Sequence, residues 1–395
     1  MPANTATSAQ FAQNEVNANS WGLYIHVPFC RSKCIYCDFY SRPCAFAQSE
    51  YTAFANRIKE EYRARLHEVS PLLSPSTIYF GGGTPSALPA DTLADLISWA
   101  ADLGKDTSEF TVEINPDDID NFVATLSSVH SVLPNRVSMG VQSLIDKELR
   151  AIGRRHTAAD ALQAVKRLRQ AGIGNISCDL IYGLPAQTLS SFRESLIRLL
   201  DTGIEHLSAY ILSYEPSTAL WRLREKGKIT EAPDSLIEDM YGLLCQTTAE
   251  AGFEHYEISS FAREGFRSRH NSSYWNSTPY LGLGPAAHSL AADGVRRYNR
   301  SDIDAYLRGE DTLCVDEESP SSVRNDYIIT RLRTADGLSA DHFRTLYGHE
   351  AAVSLARRLQ GHFEAKNLIL TPDNRYRIPE NLWLTSDAIM LNIIE

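Results

Sequence analysis

Nowhere does the chain hold an apolar run near the roughly 20 residues that a membrane-spanning helix needs. Basic residues are also in short supply. Against 38 Lys and Arg stand 49 Asp and Glu, a formal net charge of −11 at pH 7. A chain of that sign gains nothing from phosphate backbones or anionic lipid through bulk electrostatics. Nucleic acid is therefore not an expected partner, and any membrane contact is left as peripheral. An anion site would have to be built locally, from clustered arginines. Residues 1–20 offer neither a basic n-region nor an apolar h-region, so they read as a loose polar tail rather than a secretory signal. The cysteines number seven, an odd count, and Cys44, Cys178, Cys245 and Cys314 are scattered. That suits a reducing cytoplasm better than a disulfide framework. What is present is ordinary: 395 residues, 43% hydrophobic and 22% charged, enough for a barrel-sized domain and a smaller one.

The exception to the scatter is Cys30-Arg31-Ser32-Lys33-Cys34-Ile35-Tyr36-Cys37, a C-x3-C-x2-C loop directly after the apolar strand pattern Leu23-Tyr24-Ile25-His26-Val27. A loop this short can turn three thiols toward one point. Thiolate suits iron–sulfur clusters, zinc and copper(I). Three cysteines match a four-iron cluster with one iron left open, whereas most electron-transfer clusters use four. A zinc knuckle would pair cysteines as C-x2-C twice or add histidines at set spacing; only Cys34 and Cys37 form such a pair. Cluster, zinc and coincidence stay as the three readings of the spacing.

Downstream, strand patterns at 76–80, 110–116, 136–143, 176–182 and 206–212 alternate with helical patterns at 50–65, 91–101, 117–127, 158–171 and 188–200. Alternation of this kind means βα units around a parallel sheet, and six units fall short of a closed eight-stranded barrel. Polar residues gather where strands end: the cysteines, Thr84, Glu113, Asn115, Gln142, Asp179 and Tyr210. In a barrel those ends converge on one ligand-binding face. Gly81-Gly82-Gly83-Thr84-Pro85 is either a tight turn or a place where backbone N–H groups approach a ligand. Glu113 alone reads equally as a satisfied structural carboxylate.

Taken together these stretches resemble the radical S-adenosylmethionine (SAM) superfamily. Tyr24-Ile25-His26-Val27-Pro28-Phe29-Cys30 resembles, more narrowly, the oxygen-independent coproporphyrinogen oxidase group, which includes the HemW-type heme chaperones. Asn135 to Ser143, Gly153 to Thr157 and Asp179 to Pro185 match that group's strands, so the likeness spans most of residues 22–216. It implies a partial (β/α)6 barrel of the α/β class. It implies a [4Fe-4S] cluster on Cys30, Cys34 and Cys37, whose open iron chelates SAM for reductive cleavage to a 5′-deoxyadenosyl radical. It further implies SAM contacts at Tyr24, Tyr36, Phe39, Gly81, Gly82, Gly83, Thr84, Glu113, Gln142, Arg154 and Asp179, and an electron donor for the cluster.

Beyond the barrel, 233–252 is helical in pattern and 255–263 is a strand leading into a loop-rich span crowded with arginines, aromatics and histidines. Imidazole ligates iron, arginine grips carboxylates and flat rings stack on a macrocycle. A single loop histidine is more commonly hydrogen-bonded than ligating. His270-Asn271-x-x-Tyr274-Trp275, however, resembles the HNxxYW motif of the heme chaperones. The resemblance makes His270, Asn271, Tyr274 and Trp275 the heme candidates, with His288 and His26 behind them. Helical patterns at 324–332, 339–346 and 351–365, then an expected hairpin of 376–378 with 382–384, resemble a winged helix; the absence of a basic stripe argues against DNA.

The resulting expectation is a tail at 1–20, a radical SAM barrel at 21–235, a bridging segment at 236–300 and a mainly helical C-terminal domain at 301–395. The decarboxylase branch of the resembled group continues its motif as C-x3-C-x2-C-x-C, and here that position is Phe39. The expected function is therefore a cytoplasmic heme chaperone passing heme to an acceptor protein, with the anaerobic decarboxylase of coproporphyrinogen III as the alternative.

Overall fold

The computed structural model describes residues 20–44, 46–70 and 72–395, so the expected tail lies outside the described residues except for Ser20. Six strands, β1 (Gly22–Val27), β2 (Thr77–Gly82), β3 (Glu109–Ile114), β4 (Arg136–Gln142), β5 (Asn175–Tyr182) and β6 (His206–Ile211), pair in that order and all run parallel. Between them lie α1 (Gln48–Arg65), α2 (Ala90–Leu103), α3 (Ile119–Ser128), α4 (Asp146–Ala151), α5 (Ala158–Gln170) and α6 (Leu189–Leu200). This is the expected partial barrel of α/β class.

Period-two alternation explains why the strands close around something polar. Leu23, Ile25, Ile78, Phe80, Val112, Val137, Met139, Ile176 and Leu207 are fully buried in the main apolar cluster. Each contributes about 1.5–3 kcal/mol by leaving water. The intervening residues, among them Tyr24, Tyr79, Glu113, Ser138, Asp179 and Ser208, occupy the other face. In most buried parallel sheets both faces are apolar. A polar inner face therefore sets this barrel apart as a container.

After α7 (Ala219–Glu225) and α8 (Asp234–Glu250) the sheet gains β7 (Glu254–Glu257) and β8 (Ser260–Ala262), antiparallel beyond β6. The short helix α9 (Arg269–Trp275) leads into β9 (Tyr280–Leu283), a seventh parallel strand beside β1. The sequence pattern reads this span as loop-rich, whereas Tyr280–Leu283 is a strand. Gly282 is required, for a Cβ there would lie 1.9 Å from the His288 carbonyl oxygen. Strands β10 (His288–Leu290), β11 (Arg296–Asn299) and β12 (Leu313–Val315) extend the sheet antiparallel. The sheet thus runs past residue 300, where a separate helical domain was expected to begin.

After α10 (Ile303–Leu307) come α11 (Pro320–Leu332), α12 (Ala340–Glu364) and α13 (Ser386–Leu391). Gly348, at φ 85°, breaks α12 where the sequence suggested two helices. The expected 376–378 with 382–384 hairpin is not formed. Arg375–Arg377 pairs instead with Leu338–Ser339 and Ile369–Leu370. Pro379 starts a 3₁₀ turn that carries buried Trp383, whose indole N–H donates to the Ile378 carbonyl at 2.8 Å. Helices plus a three-stranded wing give the winged-helix-like arrangement. Among the described residues no helix is long and apolar enough to cross a membrane.

Candidate metal and cofactor site

The cysteine loop is pinned at both ends. Phe29, fully buried, meets Phe46, Tyr51 and Phe54 edge-on at 5.1–5.2 Å. Phe29–Cys30 pairs with Arg42–Pro43, so the loop closes on itself. Cys37 N–H donates to the Cys34 carbonyl at 3.2 Å, a turn that keeps those two cysteines on one side. The glycine run is zipped to the same backbone, with Gly83 N–H on the Val27 carbonyl and Thr84 N–H on that of Phe29, at 2.9 and 2.7 Å. A Cβ at Gly83 would lie 2.8 Å from both carbonyl oxygens, so no larger residue permits this approach. Thr84 Oγ1 reaches Cys30 Sγ at 3.3 Å and accepts from Asn115 Nδ2 at 2.9 Å.

Arg154, between α4 and α5, joins the parts. Its guanidinium donates to Asn115 Oδ1 at 2.6 Å, to the Gly140 carbonyl, and to Cys34 Sγ at 3.6 Å. Gln142 stands at a register shift in β4 with φ 67°. Such a bulge re-aims a side chain at a strand end. Gln142 Oε1 and Arg154 Nε are buried and have no hydrogen-bond partner among the described residues. Unmet buried groups of this kind cost about 1–3 kcal/mol each, and a bound cofactor at the mouth would satisfy them.

Glu113 accepts from Tyr79 Oη at 2.7 Å and from Gly82 N–H at 3.2 Å. Burial, with Asp179 nearby, pushes its pKa up to about 7. Asp179 is likewise raised to about 6 by burial, offset in part by a hydrogen bond from Ser208. Tyr24 Oη lies 3.1 Å from His26 Nδ1. Ile35 and Tyr36 rest on the small apolar cluster of Ile152, Ile181, Leu184, Leu212 and Leu220. Phe39 is 69% exposed, with its backbone N–H beside the Cys37 thiol. Sequence reasoning gave no role to Tyr79, although its place in the inward-facing alternation was a visible signal.

The donor set fits a cluster better than a single ion. Tetrahedral zinc, with Zn–S near 2.3 Å, draws its sulfurs to about 3.8 Å apart. Among the described residues, Cys30, Cys34 and Cys37 are not a set whose sulfurs all lie within 4.8 Å of one another. At least one of their sulfur–sulfur separations therefore exceeds what a single tetrahedral ion draws together. Burial raises the Cys30 thiol and pushes Cys37 up to about 11, so loading must displace protons.

The HNxxYW segment lies at the other end of the barrel. His270 is fully buried, with Nδ1 2.9 Å from Thr77 Oγ1 and Nε2 2.9 Å from Tyr274 Oη. Its ring stacks on Tyr79 at 4.9 Å. Glu109 receives the N–H groups of Arg269 and His270, at 2.7 and 3.0 Å, and so anchors the start of α9. Thr77 and Glu109 are first residues of their strands, whereas the cysteines follow the last residue of β1. As folded, then, both ring nitrogens of His270 are engaged by neighbouring hydroxyls. Asn271 is half-buried beside it, and the buried Trp275 Nε1 makes no hydrogen bond among the described residues. His26 has both nitrogens engaged, with Tyr24 and the Tyr40 carbonyl. His288 differs: it is exposed, its ring stacks on Tyr298 at 5.4 Å, and neither nitrogen is hydrogen-bonded among the described residues.

Residues 24–199 match the radical SAM superfamily model. The chain is 34% identical over 336 residues to the heme chaperone HemW of Bacillus subtilis, covering 82% of this chain and 86% of that one. It is 33% identical over 349 residues to HemW of Lactococcus lactis, at 85% and 89% coverage. The mitochondrial radical S-adenosyl methionine domain-containing protein 1 of Danio rerio is 35% identical, at 83% and 76% coverage. Among solved structures, coproporphyrinogen III oxidase (HemN) from Escherichia coli superposes with a TM-score of 0.77 at 20% identity, over 98% of this chain and 92% of that one. That last likeness is one of fold.

Proposed function

We propose, from the premise that the chain belongs to the radical SAM superfamily and within it to the HemW group, that this protein binds heme and passes it to an acceptor protein in the cytoplasm. In this reading Cys30, Cys34 and Cys37 hold a [4Fe-4S] cluster and an exchangeable SAM sits between the cluster and the strand ends. A reduced cluster there would supply an electron to SAM. The chain's own part is to position it. Gly81 to Gly83 and Thr84 line one side, Glu113 and Asp179 supply carboxylates, and Gln142 Oε1 with Arg154 Nε supply the unmet polar atoms. Tyr24 and Tyr36 wall the site. Phe39, exposed, is available to whatever covers the mouth.

The observation that carries the chaperone reading over the decarboxylase is Phe39, which stands where the decarboxylase motif has a further cysteine. For the heme itself, the exposed ring of His288 supports an iron contact on the β10–β11 face. The helix of buried His270 and half-buried Asn271, Tyr274 and Trp275 then serves to seal the barrel floor. The test is a heme titration of the cluster-loaded protein, followed by absorption, with coproporphyrinogen III turnover assayed on the same sample under SAM and reductant. Saturable heme binding without decarboxylation is the expected result. Product formation, or no saturable heme spectrum, would replace this reading with the decarboxylase.

A further inference from the structure

Away from the barrel mouth, three side chains from separate elements converge. Cys245 lies on α8, His255 on β7, and Glu380 opens the 3₁₀ turn after Pro379. Cys245 Sγ, one His255 nitrogen and a Glu380 carboxylate oxygen all lie within 4.8 Å of one another, and among the described residues no other His, Cys, Asp or Glu group does so. His255 Nδ1 is 3.9 Å from Cys245 Sγ and 2.8 Å from Glu380 Oε1. The same ring nitrogen thus faces both partners. A thiol–imidazole–carboxylate relay would instead use the two ring nitrogens separately, one for the nucleophile and one for the acid. Convergence on a single nitrogen is the arrangement of ligands around a common centre.

The imidazole is also held as a ligand would be. Its ring stacks on Phe261 at 4.0 Å and meets Trp383 edge-on at 4.4 Å, and its side chain is 5% exposed. The other nitrogen, Nε2, has the Ile258 carbonyl as acceptor at 3.5 Å. The 2.8 Å contact with Glu380 puts a proton on Nδ1 in the metal-free chain, which an incoming cation would displace, leaving the ring proton on Nε2 toward the Ile258 carbonyl. The Glu380 backbone is placed by Tyr241 Oη, which donates to its carbonyl at 3.0 Å.

We propose that Cys245, His255 and Glu380 form a second metal site, for a single borderline divalent cation, zinc foremost, with solvent completing four-coordination. A thiolate, an imidazole and a carboxylate are zinc's usual ligand types, and three protein ligands with one open position is a recurrent arrangement. The ion ties the C-terminal segment to α8 and to the outer edge of the barrel sheet. It is independent of the cysteine loop and of heme.

The test uses cluster-loaded protein, with iron and sulfide counted so that Cys30, Cys34 and Cys37 are occupied. Zinc alone is titrated against a competing chromophoric chelator. Wild-type protein is expected to retain zinc, with a sulfur neighbour near 2.3 Å by X-ray absorption. Cys245→Ser and Glu380→Gln are each expected to weaken binding by at least about tenfold, since even outer partners of a metal site cost about 10–100-fold. Glu380 is half-exposed, so its variant keeps the fold, checked by circular dichroism. Zinc should raise the thermal midpoint of wild-type protein and not that of Glu380→Gln. No zinc retained by the wild type, or equal retention by both variants, overturns the proposal.

Discussion

The guanidinium of Arg154 donates to Cys34 Sγ at 3.6 Å while holding Asn115 and the Gly140 carbonyl with its other arm. One side chain therefore fixes the cysteine loop relative to the ends of β3 and β4. Lysine keeps the charge but not the fork. Arg154→Lys is expected to load iron normally and to bind SAM about 10–100-fold more weakly, the loss of a charged hydrogen bond of about 1.5–3 kcal/mol. Iron content and a SAM titration on the same preparation check it; an unaltered SAM affinity would remove Arg154 from the site.

Glu113 titrates near 7 in the folded chain against an ordinary value of 4.5, chiefly through burial. Between those values the native state holds more protons than the unfolded one. Stability of the cofactor-free protein should accordingly fall as pH rises from about 4.5 to about 7 and stay lower above that. Glu113→Gln removes this part of the fall, so the variant gains stability above pH 7, on the order of 3 kcal/mol, and none below pH 4.5. Urea unfolding at pH 4.5 and 8 measures the difference. Asp179, raised to about 6 by the same cause, leaves a residual slope.

Much of the mouth was legible because its residues sit at strand ends, and a period-two strand followed by a helix locates those ends from sequence alone. Glu113, Gln142 and Asp179 were placed in that way. The floor was not legible, for a physical reason. His270 acquires its partners from Thr77 and Glu109 through long-range contacts, and a seven-residue helix leaves too little periodicity to see. The same holds for β9, whose Gly282 weakens any strand pattern yet is demanded by the His288 carbonyl. The expected C-terminal hairpin does not form because the buried Trp383 indole closes a turn onto Ile378.

Gly82 takes φ 104°, and a Cβ there would lie 2.5 Å from the His26 ring. That ring is held by Tyr24 and by the Tyr40 carbonyl, so it has little room to retreat. Gly82→Ala combines left-handed strain with overpacking and is expected to cost about 2–4 kcal/mol. Chemical denaturation reads the loss. A cost below about 0.5 kcal/mol would mean that the glycine run is not held against the cysteine loop.

The two histidines at issue for heme predict opposite outcomes. His270 donates and accepts inside the barrel, so His270→Gln should lower stability by about 1–3 kcal/mol through stranded partners and leave the heme spectrum unchanged. His288 is exposed beside Tyr298, so His288→Ala should leave stability within about 0.5 kcal/mol and shift the Soret band with weaker heme binding. Both are read by heme titration alongside urea unfolding. The reverse pattern, a spectrum altered only in His270→Gln, would move the heme to the barrel floor and require α9 to open before iron could reach the imidazole.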